Sequence, residues 1–415
     1  MKKIQFLYKM NSKKSWITCC FFNFLIASGI GLVMRFTFLF PLQFINYTFL
    51  LHAHSHVAML GWAYLMIYVL IVCFFIPEEK RQNPIYSRLF WLTEFTVIGM
   101  MISFSIQGYA FFSILFSTLH IFLSYVFCRK VWKDCHRDKN FSGQLLSMSI
   151  LFMVLSTFGV WCLGPAVSTL GKQNAFYQIA IQFFLHFQFN GWFLLAVLAL
   201  FLKQFTKKIE SRMFNNFFLL LVISVFLTFA FPVSWYISSE ILYGINLSGV
   251  LLQIISFWYF YKMLKPQIMY FKAGLNQLTK LVYSLSLCSL FLKLCIQLVV
   301  LIPNLGESSH HIRNFVIGFV HLTTLGIITG FLFGVLLQAK LLATESLLMK
   351  SGMKCFIWGY IATEIVLFVQ GGFFYFNIGL LRGYYTIIFA ASILIVLGLF
   401  LISVSLLNKK QESVI

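Results

Sequence analysis

The sequence predicts an all-α membrane protein of twelve transmembrane helices. Of the 415 residues, 60% are hydrophobic and only 10% are charged, whereas a soluble domain carries roughly 25% charged residues. Apolar runs longer than about 18 residues recur along the chain, which is the length that a helix needs to cross a bilayer. With about 20–25 residues per span and short loops, the chain holds about a dozen spans. These proportions exclude a soluble enzyme.

Breaks in hydropathy place the predicted spans in order along the chain. The first follows a lysine-rich start, and its apolar run is too long for the hydrophobic region of a signal peptide. The predicted spans are residues 15–40, 50–76, 88–107, 110–128, 144–165, 176–202, 215–236, 241–262, 278–302, 313–339, 352–373 and 383–407. Since little chain remains outside them, we interpret residues 1–415 as a single polytopic membrane domain.

The net charge of +20 is explained by the orientation of such a bundle and does not require a nucleic-acid partner. With the N-terminus in the cytoplasm, 26 of the 31 Lys and Arg residues fall in cytoplasmic segments, as the positive-inside rule predicts. Both termini are then cytoplasmic, and membrane lipid with anionic headgroups is the expected partner of the basic loops. The pattern predicts an integral protein of a bacterial inner membrane.

A short motif recurs on the second, sixth and tenth spans. His56, His186 and His321 are each followed five residues later by glycine, and they are separated by 130 and 135 residues. That spacing equals four spans with their loops, which predicts three pseudo-repeated four-helix arcs at about residues 15–140, 141–275 and 276–408. Each histidine then lies roughly 10–15 Å in from the outer end of its helix. The glycine permits close approach of a helix or a flat ligand.

Histidines inside a membrane either line a functional interior or donate hydrogen bonds between helices, and the repetition favours the first interpretation. Imidazole is a common ligand of haem iron and also suits copper. His52 shares a helix face with His56 and is a second candidate ligand, while His54 is a metal-ligand or structural candidate. The adjacent His310 and His311 supply two copper ligands if their backbone is not helical, and otherwise belong to an ordinary polar loop.

Charged side chains inside spans are rare and are candidates for proton paths or ion pairs. Lys293 lies in the middle of the ninth span, Glu364 in the middle of the eleventh and Glu94 in the inner part of the third. The alternative for Lys293 is a structural pairing with a carboxylate. His120, alone in the fourth span, is structural or has no role that the sequence reveals.

Twelve helices in three arcs, with histidines on helices two, six and ten, resemble subunit I of the haem–copper oxidase superfamily, which covers oxygen and nitric oxide reductases. The stretch His52-Ala-His54 before Met59-Leu-Gly61, and His321 with its following glycine, look closer still to the NnrS family. NnrS proteins are haem- and copper-containing membrane proteins linked to nitric oxide stress. The topological likeness covers nearly the whole chain, and the motif likeness is confined to the three histidine-bearing helices.

The resemblance implies a b-type haem with His56 as one axial ligand. His321 would be its second ligand or the ligand of another haem, and His186 stands where the superfamily has a copper ligand. Arg382 is a candidate for holding a haem propionate through its planar guanidinium. The chain departs from the oxidases in lacking an adjacent histidine pair on its seventh helix.

Arg35 and Arg313 are the alternatives to Arg382 for the propionate. The sequence contains no c-type haem attachment site, so a separate electron-donor protein or a quinol is the expected source of electrons. The predicted function is therefore a haem-binding membrane protein in electron transfer, nitric oxide metabolism or the nitric oxide stress response, with an oxidoreductase activity left open.

Two other interpretations remain at this point. Twelve spans with internal repeats also describe secondary transporters, in which the histidines would form a proton- or metal-coupled site. A non-catalytic scaffold or assembly factor is the third alternative.

Overall fold

A computed structural model describes residues 2–135, 140–205 and 210–408, with side chains from residue 13 onward. Within these ranges the chain is helical and has no β-strand, and twelve helices are long and apolar enough to cross a membrane. This confirms the predicted all-α membrane class. The helices are α1 (Lys2–Phe36), α2 (Tyr47–Phe74), α3 (Pro84–Gln107), α4 (Phe111–Asp134), α5 (Phe141–Thr169), α6 (Ala175–Leu202), α7 (Ser211–Ser234), α8 (Glu240–Leu264), α9 (Gln277–Val299), α10 (Arg313–Gln338), α11 (Leu347–Tyr375) and α12 (Tyr384–Leu407).

The C-terminal end of α4 differs from the prediction. Hydropathy places the end of this span at residue 128 because charged residues follow, whereas the helix continues to Asp134. Lys130 and Asp134 are one helical turn apart, and their charged atoms are separated by 2.8 Å, so an ion pair supports the last turn. Hydropathy marks where a chain leaves the lipid, and backbone hydrogen bonding continues past that point.

The orientation of the bundle in the membrane stays a prediction. Several of the basic residues that define it lie outside the described residues: the side chains of Lys2, Lys3 and Lys9, and the whole of Arg137, Lys139, Lys207, Lys208, Lys409 and Lys410. Lys80, which follows α2, lies 3.7 Å from Asp134 at the end of α4. The C-terminal ends of α2 and α4 therefore lie on the same side, as an up-and-down topology requires.

The helices pack as two compact units. The first comprises residues 1–136 and 332–415, and the second comprises residues 137–331. In the first unit α1 packs against α2 and α12, α3 packs against α2 and α4, and α11 packs against α12. In the second unit α5 packs against α6, α7 against α8, and α9 against α10. The three predicted arcs stay an interpretation of the sequence spacing.

Among the twelve described helices, α2, α6 and α10 are the most buried. In their most apolar stretches 78, 83 and 78% of the residues are buried, against 33 to 50% in the other nine. The burial is greatest in the C-terminal halves, where every residue of 65–72 and of 194–202 is buried. The N-terminal turns of α2 and α6 are mostly half-exposed. The three helices that carry the repeated histidine are thus the best covered of the bundle in their C-terminal halves.

Candidate functional site

Each repeated histidine is followed directly by a π-helical segment. A π-helix is closed by i→i+5 hydrogen bonds, is rare, and occurs frequently at functional sites. Within the described ranges, π-helix occurs at these places: Val57–Tyr64 after His56, Phe187–Phe193 after His186 and Leu322–Thr329 after His321. Sequence reasoning missed these segments, although the spacing of five residues from histidine to glycine equals the span of one π hydrogen bond.

In the π geometry each of these glycines lies one hydrogen-bonded turn after its histidine. Five residues make about 1.4 turns of an α-helix but one hydrogen-bonded turn of a π-helix. A Cβ atom at Gly61 would lie 2.8 Å from Val97 Cγ1 and 3.1 Å from the Asn23 side chain, and one at Gly191 would lie 2.6 Å from the Phe152 ring. Of the two predicted uses of these glycines, the structure shows close approach of a neighbouring helix at both positions.

The imidazole of His56 is held by its own helix. Its Nδ1 atom lies 2.8 Å from the carbonyl oxygen of His52, and donation of Nδ1–H to this oxygen puts the ring lone pair on Nε2. Within the described residues no hydrogen bond reaches Nε2. The Phe104 ring stacks on the imidazole at 4.2 Å between centroids. Metal-binding histidines are commonly oriented in this way, with one nitrogen donating to a backbone oxygen.

His52 and His54 lie on either side of this arrangement. The His52 ring meets the edge of Tyr109 at 4.5 Å between centroids, on the side of the helix that also carries His56. The His54 ring instead lies against α1, where its Nδ1 is 2.8 Å from the carbonyl oxygen of Ala27. A Cβ atom at Gly31 would lie 2.9 Å from this ring. The structure therefore gives His54 a packing role between α1 and α2.

Both ring nitrogens of His186 are hydrogen-bonded within the second unit. Its Nε2 lies 2.8 Å from the carbonyl oxygen of Val225 and donates to it, while its Nδ1 accepts from the Asn190 amide at 3.3 Å. The oxygen of that amide accepts from Lys293 Nζ at 2.6 Å. A copper ion could use a lone pair of His186 only if the bond to Asn190 were broken, so the copper assignment of this residue stays a prediction.

Lys293 is a buried cation with 1% exposure. Within the described residues its hydrogen-bond partner is the amide oxygen of Asn190, and no ion pair with a carboxylate is formed. The Lys293–carboxylate pair that the sequence offered as the structural alternative is therefore not formed among the described residues. Lys293 instead belongs to a hydrogen-bonded Lys293–Asn190–His186 network that joins α9 to α6.

We expect Asn190→Leu to lower the stability of the fold by about 3 kcal/mol or more, and Lys293→Met to cost less. The first change leaves an ammonium group buried without an acceptor, whereas the second removes the charge and keeps the apolar stem. The double variant should regain stability relative to Asn190→Leu. Thermal unfolding in detergent ranks the stability losses of these variants. The control is Lys350→Met, which removes a lysine from an exposed ion pair. A larger loss for Lys293→Met than for Asn190→Leu would contradict this account.

The remaining histidines of the second unit lie near the start of α10. His321 is half-buried, and the π segment that follows it packs against that of α6. His310 caps the C-terminal end of a short helix, Pro303–Ser309, and has α-helical backbone angles (φ −82°, ψ −20°), while His311 follows in the turn before α10. Their ring centroids are 3.7 Å apart, and the His310 ring stacks on Trp235 at 5.1 Å. Burial and the neighbouring His311 hold the pKa of His310 below its ordinary value, which favours the neutral, metal-binding form.

Two candidate proton-path residues of the first unit are buried in different surroundings. Glu94 accepts a hydrogen bond of 2.7 Å from Asn23, which also donates to the carbonyl oxygen of Gly61 at 3.1 Å. It lies at an open groove of about 700 Å³ between α1, α3 and α12. Glu364 interacts electrostatically with the guanidinium of Arg35. The two carboxyl groups therefore belong to separate polar contacts within the unit.

The three candidate arginines differ in exposure. Arg35 is half-buried and donates to the carbonyl oxygen of Ile388 at 3.2 Å and to the hydroxyl of Ser392, which ties α1 to α12. Arg382 is exposed in the loop between α11 and α12, and Arg313 is exposed at the start of α10. Arg382 is thus available to a propionate, whereas Arg35 already serves the packing of two helices.

His120 is a functional candidate that sequence reasoning left without a role. It is 3% exposed on α4, and its Nδ1 lies 3.4 Å from Ser124 Oγ. Within the described residues no partner reaches its buried Nε2. The Tyr64 ring of α2 meets it at 4.9 Å between centroids. A polar stripe at four-residue spacing, His120, Ser124 and Cys128, is the sequence signal that marks this face of α4.

Groups of three or more His, Cys, Asp or Glu side chains that could hold a metal ion do not occur among the described residues. Neither a known protein family nor a curated protein matches this sequence. A functional conclusion must come from the residues themselves.

Proposed function

We propose that the chain is a haem-binding integral membrane protein, similar to haem–copper oxidase subunit I and the NnrS proteins, with a role in electron transfer, nitric oxide metabolism or the nitric oxide stress response. It would lie in a bacterial inner membrane with both termini in the cytoplasm. The observation that carries the proposal is the association of histidine and π segment on α2, α6 and α10, the three most buried helices. Irregular backbone of this kind is concentrated at functional sites.

The residues around His56 fit a haem. The bond to the His52 carbonyl fixes the tautomer and directs the lone pair of Nε2, which is the atom that ligates haem iron. Phe104 and Tyr109 supply aromatic surface beside the imidazole, and aromatic rings pack well against a flat macrocycle. The half-exposed N-terminal turns of α2 leave one side of this helix to a ligand.

A bound haem would supply a one-electron couple and a site for a diatomic gas. The residues of the chain would hold its iron, shield its faces from water and orient it. Arg382 is the available cation for a propionate in the first unit. A quinol or a separate electron-donor protein would deliver electrons, and a copper ion at His310 and His311 is the further metal that the sequence suggests.

The test is the absorbance spectrum of the full chain, purified in detergent from cells supplied with haem. We expect a Soret band and the sharp bands of low-spin haem, with iron in at least equimolar amount. His56→Ala should lose the low-spin spectrum, whereas His311→Ala, at an exposed histidine, should keep it. A colourless preparation that is folded and monodisperse, or an unchanged spectrum in His56→Ala, would overturn the proposal.

A secondary transporter is the second candidate, and the Lys293–Asn190–His186 network favours it. A buried cation beside an imidazole is the kind of group with which transporters bind anions or carry protons. In that case haem-free protein in proteoliposomes should take up a solute under an imposed pH gradient, and Lys293→Met should not. Uptake that needs bound haem, or that survives Lys293→Met, would count against this candidate.

A further inference from the structure

We infer that the groove between α1, α3 and α12 binds a lipid-soluble hydroquinone, one hydroxyl of which donates a hydrogen bond to Glu94. The place of this site in electron transfer rests on the proposed function, because it is where the chain would receive a quinol. Binding itself does not require haem, so the site and the proposed function are tested separately.

The groove contains hydrogen-bond acceptors deep inside it. Glu94 and Asn23 line the groove and are only 6 and 4% exposed. Asn23 Nδ2 donates to Glu94 Oε2 at 2.7 Å and to the Gly61 carbonyl oxygen at 3.1 Å, which uses both hydrogens of the amide and fixes its orientation. Within the described residues no hydrogen bond reaches Asn23 Oδ1. An amide oxygen beside a carboxyl group favours a ligand that carries hydroxyl donors.

The depth of these acceptors excludes the polar part of a phospholipid. The groove extends along α1 from Lys14 to Ile26, and the membrane-spanning part of this helix begins at Lys13. Asn23 follows Lys14 by nine residues, or roughly 13 Å at the rise of an α-helix, in a hydrocarbon core about 30 Å thick. The acceptors therefore lie at the level of the acyl chains, which have no hydrogen-bond donor.

The walls of the groove are apolar and open to the lipid. Trp91 and Ile98 lie three and four residues from Glu94, on the same face of α3, and Phe22 lies on α1. All three side chains are exposed within membrane-spanning segments, so a molecule dissolved in the bilayer can enter sideways. The volume of about 700 Å³ is within the range of roughly 300–1,000 Å³ that is typical of small-molecule sites.

These features together select a hydroquinone among lipid-soluble molecules. Its hydroxyl groups match the acceptors, its flat ring matches the aromatic surface of Trp91 and Phe22, and its apolar tail can remain in the lipid. A fatty acid would either place its carboxyl group against that of Glu94 or leave it near Lys14 and bring only its chain to the acceptors. All of the residues concerned belong to the first unit.

The experiment measures equilibrium binding of a labelled decyl-benzohydroquinone to the full-length protein in nanodiscs of phosphatidylethanolamine and phosphatidylglycerol. We expect saturable binding, and binding about 10-fold weaker or more for the dimethyl ether of the same compound, which has the ring and the tail but no donor. Glu94→Leu should weaken binding of the hydroquinone by a similar factor and should leave binding of the ether unchanged. Ile98→Trp should abolish saturable binding because the larger ring fills the groove.

Ile102→Trp and Glu364→Leu are the matched controls and should keep the affinity. Ile102 is an exposed residue of α3 outside the groove, and Glu364 is a buried carboxyl group of the same unit outside the groove. If Glu94→Leu does not fold, Ile98→Trp and the ether decide.

Equal affinities for the hydroquinone and its ether, unchanged binding in Ile98→Trp, or a phospholipid that the hydroquinone does not displace would overturn the inference. A Soret band without saturable binding would overturn the inference alone and leave the proposed function standing. Saturable binding by a protein that never takes up haem would overturn the proposed function and leave the hydroquinone site standing.

Discussion

Replacing Gly61 with valine is expected to lower the stability of the fold by more than about 3 kcal/mol. Overpacking of a core by added methyl groups typically costs about 1–3 kcal/mol. At this position even a Cβ atom would lie 2.8 Å from Val97 Cγ1 and 3.1 Å from the Asn23 side chain. Relief of that contact must move α1 or α3, and it would break the hydrogen bond from Asn23 to the Gly61 carbonyl.

Thermal unfolding in detergent measures this effect, and Gly29→Val is the matched control. Gly29 lies on α1 of the same unit, and a Cβ atom there would meet nothing within 4 Å. The two variants therefore carry the same change of backbone preference and differ in packing. Equal unfolding temperatures of the two variants would show that Gly61 is not needed for the close approach of α1 and α3 to the π segment.

Replacing Arg35 with methionine is expected to lower the stability of the haem-free protein by about 3–5 kcal/mol, because it removes two hydrogen bonds from a charged donor, each of which contributes about 1.5–3 kcal/mol. These bonds, to the Ile388 carbonyl and the Ser392 hydroxyl, join α1 to α12. Adding Glu364→Gln to Arg35→Met should recover part of the loss, with a coupling of about 0.5–3 kcal/mol between the two sites.

Arg382→Met is the control for this prediction. It removes the same type of side chain from an exposed loop of the same unit, where substitutions cost about 0.5 kcal/mol or less. Should Arg382→Met destabilise the haem-free protein as much as Arg35→Met, or should Glu364→Gln bring no recovery, the assigned role of Arg35 would be wrong.

The fold class and the order of the spans could be predicted from the sequence because hydropathy is averaged over about 20 residues at a time. A run of about 20 apolar residues has few alternatives in a membrane, and all twelve predicted spans correspond to helices. Hydropathy was less informative about helix ends. The last turn of α4 contains the Lys130–Asp134 ion pair, and in a hydropathy window these two residues only lower the average and so end the predicted span early.

The site was predictable only in part. The repeated histidines marked the three helices that are the most buried, because a polar residue is retained inside a membrane where it has neighbours. The hydrogen bonds of each ring were not predictable, since they depend on groups far away in sequence. His186 bonds to the Val225 carbonyl and is linked through Asn190 to Lys293. His54 bonds to the Ala27 carbonyl. His120 was overlooked because it has no repeat counterpart.

The three π segments also bear on how such a sequence can change during evolution. A turn closed by i→i+5 bonds holds one residue more than an α-helical turn. Deleting a single residue there would let α-helical bonding resume and, because the wide turn already holds the extra residue, would leave the half-helix that follows close to its present orientation. A deletion within residues 65–72 or 194–202 would instead rotate all that follows by about 100°, and these half-helices are buried on every side. We therefore expect single-residue deletions to be tolerated better in the π segments than in the half-helices that follow them.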